Sequence, residues 1–397
     1  MSAPAFLTAA QEISALDSSL EREWRFLRAA VSRSSGKDLV GLRELCDAVR
    51  WNVLFDLAEH HGVQPLLYRT LSRIQDLVPD ADMRRLARLY QTNLHRALLL
   101  ARGLIHVQHH LKQNNIESLP YKGIALAESF YSDIALRQAG DIDLLIRAQD
   151  FRRVRDALRE LAYAPQSRYS PAEEIASLKS GYECVFDGPG GRNLLEVKWR
   201  ILPRFYALDF DYESLFRRAV PVHVAGYAMK TPSPEDNFLI FCVHAAKHVW
   251  GRLIWLCDVA RIMQLPELNW TWIAAQCRDL GITRMVRVTL RLINCLLEID
   301  IPSAAESSLL PDEQAAALAR EIEPHIPSMT DYDVESVAYF RLIGTLRERW
   351  RDRARFSARL LLTPGPGEWA AVRLPRPLFP LYRLVRLARV AGRIAHL

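Results

Sequence analysis

"LRQAGDIDLLIRA", residues 136–148, sets two aspartates, Asp141 and Asp143, at the mouth of an otherwise apolar run. In a strand successive side chains alternate faces, so the two carboxylates point one way, with Cα atoms ~6.5 to 7 Å apart, while Ile142 and Leu144 point into a core. Adjacent anions repel unless a cation lies between them. A divalent metal, with its preference for hard oxygen ligands, meets that need. A bare D-x-D is also common by chance, as two acids on an exposed strand edge, so the surrounding sequence has to decide.

Upstream, "IESLPYKG" reads as a strand and turn and "IALAESFY" as a helix, which puts Lys122 and Gly123 at a strand-to-helix turn. Free amides and a helix N-terminus make a place for phosphate there, with the lysine ammonium as a point charge. Arg137, four residues before Asp141, is open to a phosphate or a carboxylate partner. Downstream comes an amphipathic helix, "QDFRRVRDALRELAYA", and then a hairpin, "YECVFDGPGGRNLLEVKWRIL", folded at Asp187–Gly191. Its second strand carries Glu196, a candidate third acid for the cluster, flanked by Lys198.

The flanks are helical. Residues 1–115 repeat apolar positions three and four apart in "SSLEREWRFLRAAVSR", "DLVGLRELCDAVRWNVLFDLAEHHG" and the long "ADMRRLARLYQTNLHRALLLARGLIHVQHHLKQNN". From Ser233, "SPEDNFLIFCVHAAKHVWGRLIWLCDVARIM" reads as one helix with a serine cap, a proline at the first helical position and acids in the first turn. The expected divisions are therefore 1–115 helical, 116–232 α/β, 233–362 helical, and a tail at 363–397 after the break "TPGPGEW". On the 233–263 helix, His244, His248 and Arg252 fall at i, i+4 and i+8 and predict one polar stripe, with Lys247 and Asp258 nearby. Such a stripe fits either a cleft wall touching phosphate or acceptor, or histidines bonded inside a helical interface. As a zinc site it lacks the glutamate of H-E-x-x-H and a third ligand. His60 and His61 read as structural or surface residues.

Composition bounds the class. With 397 residues, 50% of them apolar, the chain can bury a large core in two or more packed units. The six cysteines are scattered without a C-x-x-C pair, which argues against a zinc ribbon or a disulfide framework and fits a reducing compartment. No basic-then-apolar leader opens the sequence and no run reaches the ~18 apolar residues of a membrane span, so the expectation is a soluble cytoplasmic protein. The net charge of +6 is concentrated at the end, where residues 341–397 hold thirteen arginines against Glu348, Asp352 and Glu368. In the closing helix Arg383, Arg386, Arg389 and Arg393 alternate with Leu384, Leu387, Val390 and Ile394. The arginines could contact an anionic membrane surface or nucleic acid. Its ordinary length and moderate apolarity point instead to leucines on the core and arginines in solvent, with at most a weak anionic contact.

The order of strand, glycine turn, helix, D-x-D strand and later acid-bearing strand resembles the nucleotidyltransferase superfold of polymerase-beta-like enzymes. More closely, "LPYKGIALAESFYSDIALRQAGDIDLLI" resembles a family of uncharacterised bacterial nucleotidyltransferases in which a lysine-glycine turn replaces the usual glycine-serine. "LLEVKWRI", the 233–263 segment and "PGEW" with "LPRPLFPLYRLVRLAR" extend the likeness over about residues 95–390. It implies an α+β, predominantly helical chain: a polymerase-beta-like core with a small mixed sheet, flanked by N- and C-terminal helical segments. It implies transfer of a nucleoside monophosphate from an NTP such as ATP to a small-molecule, protein or RNA acceptor, with pyrophosphate released. Asp141, Asp143 and Glu196 would hold Mg2+ (or Mn2+), and Glu196 would also take the acceptor proton. Lys122 and the Gly123 amide would bind phosphate oxygens, with Arg137, His244, His248 and Arg252 as further contacts. Lys198 stands where the family strand often has histidine, and would neutralise phosphate or pair with Glu196. The rival readings are a catalytically inactive nucleotide-binding homologue and an interaction protein run by the basic tail.

Overall fold

The computed structural model describes residues 20–32, 40–46 and 49–395, apart from residues 132, 168, 192, 310, 330, 331 and 335. Residues 1–19, read above for a leader, and the side chains of Arg393 and Ile394 lie outside the described residues. The chain is mostly helical around a small mixed sheet. The sheet contains β1 (Ser118–Pro120), β2 (Ile142–Ile146), β3 (Ala164–Pro165), β4 (Glu183–Asp187) and β5 (Leu194–Lys198), in the order β1-β2-β5-β4-β3. β2 and β5 run parallel, and the other pairs are antiparallel.

All five residues of β2 are buried, because both faces of the strand are covered. Ile142, Leu144 and Ile146 pack in one cluster with Ala97–Leu111 of the long helix Asp80–Gln113 and with Val154 and Leu158 of the helix Phe151–Glu160. Leu145, with Leu119 and Tyr121, belongs to a second, larger cluster. That cluster joins Phe26, Leu54 and Leu66 from the N-terminal helices to Phe238, Trp250 and Leu292 from the C-terminal ones. Asp143, two residues before Leu145, shares its face by strand alternation. The D-x-D side of the strand therefore looks toward the C-terminal helices, not toward open solvent.

A hairpin the sequence reading did not identify follows. β6 (Val220–Val224) and β7 (Tyr227–Thr231) pair across Ala225 and Gly226, both at positive φ, 46° and 81°. Thr231 Oγ1 donates to the Pro120 carbonyl at 2.7 Å, tying the hairpin to β1.

Two expectations are corrected. The segment from Ser233 is two helices, Pro234–Lys247 and Leu253–Met263. The expected serine cap is present, with Ser233 Oγ accepting from the Asp236 amide at 3.2 Å. The break comes at Val249 and Trp250, whose φ values of 51° and 50° are left-handed, a costly region for a β-branched and a bulky residue. The Trp250 ring compensates: it is fully buried and its Nε1 donates to Thr289 Oγ1 at 2.9 Å. His61, also fully buried, accepts the Leu253 amide at Nδ1 (3.3 Å) and so caps the second helix. Arg252 therefore lies ahead of the second helix and off the stripe that carries His244 and His248. The second correction is the tail helix Tyr382–Ala395, whose leucines face outward. Leu384 is 62% exposed, while Arg386 and Arg389 turn inward to Glu368, which is 4% exposed. A buried carboxylate from the neighbouring segment outcompetes the apolar face for the inner side of the helix.

Candidate active site

β1 runs through Tyr121 and Lys122 into Gly123, which opens the helix Gly123–Phe130 at φ 51°. A Cβ at Gly123 would sit 3.2 Å from the Asp141 carbonyl oxygen, so glycine is needed both for the backbone angle and for the close approach. The Lys122-Gly123 turn and the aspartate segment are thus packed back to back. Asp141 lies just ahead of β2, and Asp143 stands opposite Glu196 in the parallel β2–β5 register. Carboxylate oxygens of Asp141, Asp143 and Glu196 all lie within 4.8 Å of one another.

Lysines compensate this charge. Lys122 Nζ is 3.7 Å and Lys198 Nζ 3.5 Å from Asp143 Oδ1. Lys198 also pairs with Glu196 and, at 2.6 Å, with Glu183, its register partner on β4. Of the two roles open to Lys198, pairing with Glu196 is the one observed. Burial raises the Glu196 carboxyl to about 7, aided by the Asp143 charge and opposed by Lys198. Burial also raises Asp141, with Asp143 beside it. At Asp143 burial acts upward, but the Lys122 and Lys198 ammoniums together hold the carboxyl below its usual value. Asp143 Oδ1 is nonetheless buried with no hydrogen bond. Three convergent carboxylates with one such oxygen suit a hard divalent cation in donor type and spacing.

The helix Pro234–Lys247 closes the cleft from the other side. Lys247 and Lys198 share the Tyr182 ring, their Nζ atoms 5.2 and 5.6 Å from its centroid. Burial, with the Lys122 and Lys198 charges, brings Lys247 down to about 8. The His244 and His248 rings are 4.8 Å apart and both pack on Trp255, at 5.5 and 4.9 Å. Burial and the nearby lysines keep both imidazoles neutral, His248 down to about 3 and His244 well below its ordinary value. Arg252 approaches the same Trp255 ring, at 5.9 Å.

Arg137 is elsewhere in chemical terms. Its Nε and Nη2 donate to the two oxygens of Asp258, each at 2.9 Å, and the Tyr131 hydroxyl donates to the same carboxylate at 2.7 Å. The carboxylate, of the two partners open to it, occupies its fork. Lys247, read from the sequence as lying near the histidine stripe, joins this group with Glu183 and Tyr182, which were not singled out from the sequence. Pairing the hairpin outward from its glycine turn would have placed Glu183 beside Lys198; nothing local marks Tyr182.

Residues 47–298 match the family described as uncharacterised nucleotidyltransferase, a span that includes every cleft residue above. The chain has no match among curated proteins. Among solved structures, an antigenic nucleotidyltransferase-like protein from Paracoccidioides brasiliensis aligns at 18% identity over 52% of this chain and 95% of that one, with a TM-score of 0.30. That superposition is too loose to locate a fold or a site. With the family match running through more than half of its length, the chain belongs to the uncharacterised nucleotidyltransferase family.

Proposed function

We propose that the protein transfers a nucleoside monophosphate from an NTP to an acceptor in the cytoplasm, using a polymerase-beta-like core at residues 116–232 set between helical segments 1–115 and 233–362. The observation that carries this reading is the convergence of Asp141, Asp143 and Glu196 beneath Lys122 and Lys247. Mg2+ (or Mn2+), when bound by the three carboxylates, neutralises triphosphate charge and draws electron density from the α-phosphorus. Lys122 and the Gly123 turn hold phosphate oxygens, and Lys247 adds a third cation on the opposite wall. Glu196, raised to about 7, takes the proton from the acceptor nucleophile. The nucleophile bonds to the α-phosphorus, the bond from that phosphorus to the bridging oxygen breaks, and pyrophosphate leaves with the electron pair. The neutral His244 and His248, with Arg252, line the wall on which the acceptor or the nucleobase rests.

The test is incorporation of label from each NTP in the presence of Mg2+ and a cell extract that supplies the acceptor. Asp141→Asn and Asp143→Asn are each expected to lower incorporation at least ~100-fold with an unchanged circular dichroism spectrum. Undiminished incorporation in both would remove the metal assignment. A second reading has its own observation: Lys198 already holds Glu196, as a counter-ion in a cleft that only binds nucleotide would. Saturable NTP binding with no incorporation under any NTP would establish that reading instead.

A further inference from the structure

The inverted tail helix carries an inference independent of the cleft chemistry. Its orientation is pinned by polar contacts. Glu368 Oε1 receives Arg389 Nη1 at 2.8 Å and Arg386 Nη1 at 3.5 Å, while its Oε2 accepts the Gly365 amide at 2.8 Å. Arg386 Nε also donates to the Leu360 carbonyl at 2.8 Å. The buried Tyr382 hydroxyl donates to the Val372 carbonyl at 2.9 Å and accepts the Leu374 amide at 3.0 Å. Rotating the helix to hide its leucines would strip a buried carboxylate of both its arginine partners, so the leucines are held outward.

Leu384 and Leu387 of this helix, and Leu378 and Leu381 of the short 3-10 turn Arg376–Leu381 that leads into it, are exposed by 62, 37, 44 and 43%. Exposed leucines grouped along such a segment are what an interfacial helix offers to a bilayer. The segment that carries them holds thirteen arginines against Glu348, Asp352 and Glu368. Each carboxylate of residues 341–397 is engaged internally: Glu348 accepts the Thr283 and Arg284 amides, Asp352 pairs with Arg349, and Glu368 pairs as above. Arg373 and Arg383, in the same stretch of chain, are exposed. Exposed arginines on a segment with so few acids attract an anionic surface. Among the described residues no helix is long and apolar enough to cross a membrane. We infer that the tail helix docks the protein on an anionic lipid surface, with Leu381, Leu384 and Leu387 inserted among the acyl chains and Arg373 and Arg383 at the headgroups.

Sedimentation of the full chain with vesicles tests this. The protein is expected to pellet with phosphatidylglycerol-rich vesicles and to stay in solution with pure phosphatidylcholine, with binding that weakens as salt rises. Leu384→Asp should weaken partitioning at least ~10-fold, as expected for a leucine inserted among acyl chains and replaced by a charge. Arg383→Glu, on the exposed rim, should weaken it with no apolar loss and gives a second reading if Leu384→Asp fails to fold. Absence of pelleting with the anionic vesicles, or equal pelleting of both variants, would overturn the inference. So would a lipid-free dimer, detected by light scattering, that Leu384→Asp dissolves: the face would then belong to a second copy.

Discussion

The cleft and the tail helix both bury charge beside a core, and they do so in opposite ways. In the cleft, acids and lysines come from β2, β5, β4 and the Lys122 turn, and each charge meets another across a strand register or a turn. In the tail, a single buried acid, Glu368, reverses the side a whole helix presents. Strand register fixes which charges of the first arrangement face each other. The second depends on one residue in a different element, and the same apolar period is compatible with either face being out.

The largest expected effect probes the buried pairing behind the cleft. Asp258→Ala leaves Arg137 buried with no counter-charge and should cost about 3 to 5 kcal/mol in urea unfolding, and replacing Arg137 and Asp258 together by apolar residues should recover much of it. Recovery that fails would mean the pair acts through more than its own charge. A titration comes next. Burial lowers His61 to about 3, below the ~6.5 of an unfolded chain, so the unfolded state binds more protons between those values. Stability should therefore fall as pH drops below ~6.5, by up to about 1.4 kcal/mol per pH unit from this group, and His61→Asn, which keeps an acceptor for the Leu253 amide, should flatten that slope. An unchanged slope would remove His61 as its source.

On the tail, Glu368→Gln should cost about 1 to 2 kcal/mol, less than Asp258→Ala because Arg386 and Arg389 reach solvent, and should raise hydrogen exchange in the last helix. If exchange stays slow, something other than Glu368 sets the helix orientation. The smallest effect is expected for Leu384→Ser, within ~0.5 kcal/mol of the parent in lipid-free buffer, because little apolar surface is lost. A loss of several kcal/mol there would mean the leucine packs on protein after all.

Much of the cleft was legible because its determinants are short-range. The alternation of "DIDLLI" puts two acids on one face, Lys122-Gly123 marks a turn that only glycine fits, and the Gly188–Gly191 turn folds β5 onto β4, whereas the parallel pairing that sets Glu196 opposite Asp143 joins strands distant in sequence. The missed features depend on distant partners. The His244–Arg252 stripe is cut because Trp250 turns into a pocket that contains Thr289. Arg137 meets an acid 121 positions away. The β6–β7 hairpin alternates in "VPVHV" and "YAMKT" but turns on Ala-Gly, a weaker signal than Asn-Gly. Hydrophobic period places residues on faces, and long-range polar partners decide which face is buried.

The most direct measurement is a crystal structure grown with Mn2+ and a non-hydrolysable NTP, read by anomalous scattering. The account predicts a manganese peak among Asp141, Asp143 and Glu196, with the triphosphate reaching Lys122 and Lys247 and Lys198 displaced from Glu196. Nucleotide bound with Lys198 still on Glu196 and no anomalous peak among the three carboxylates would contradict it.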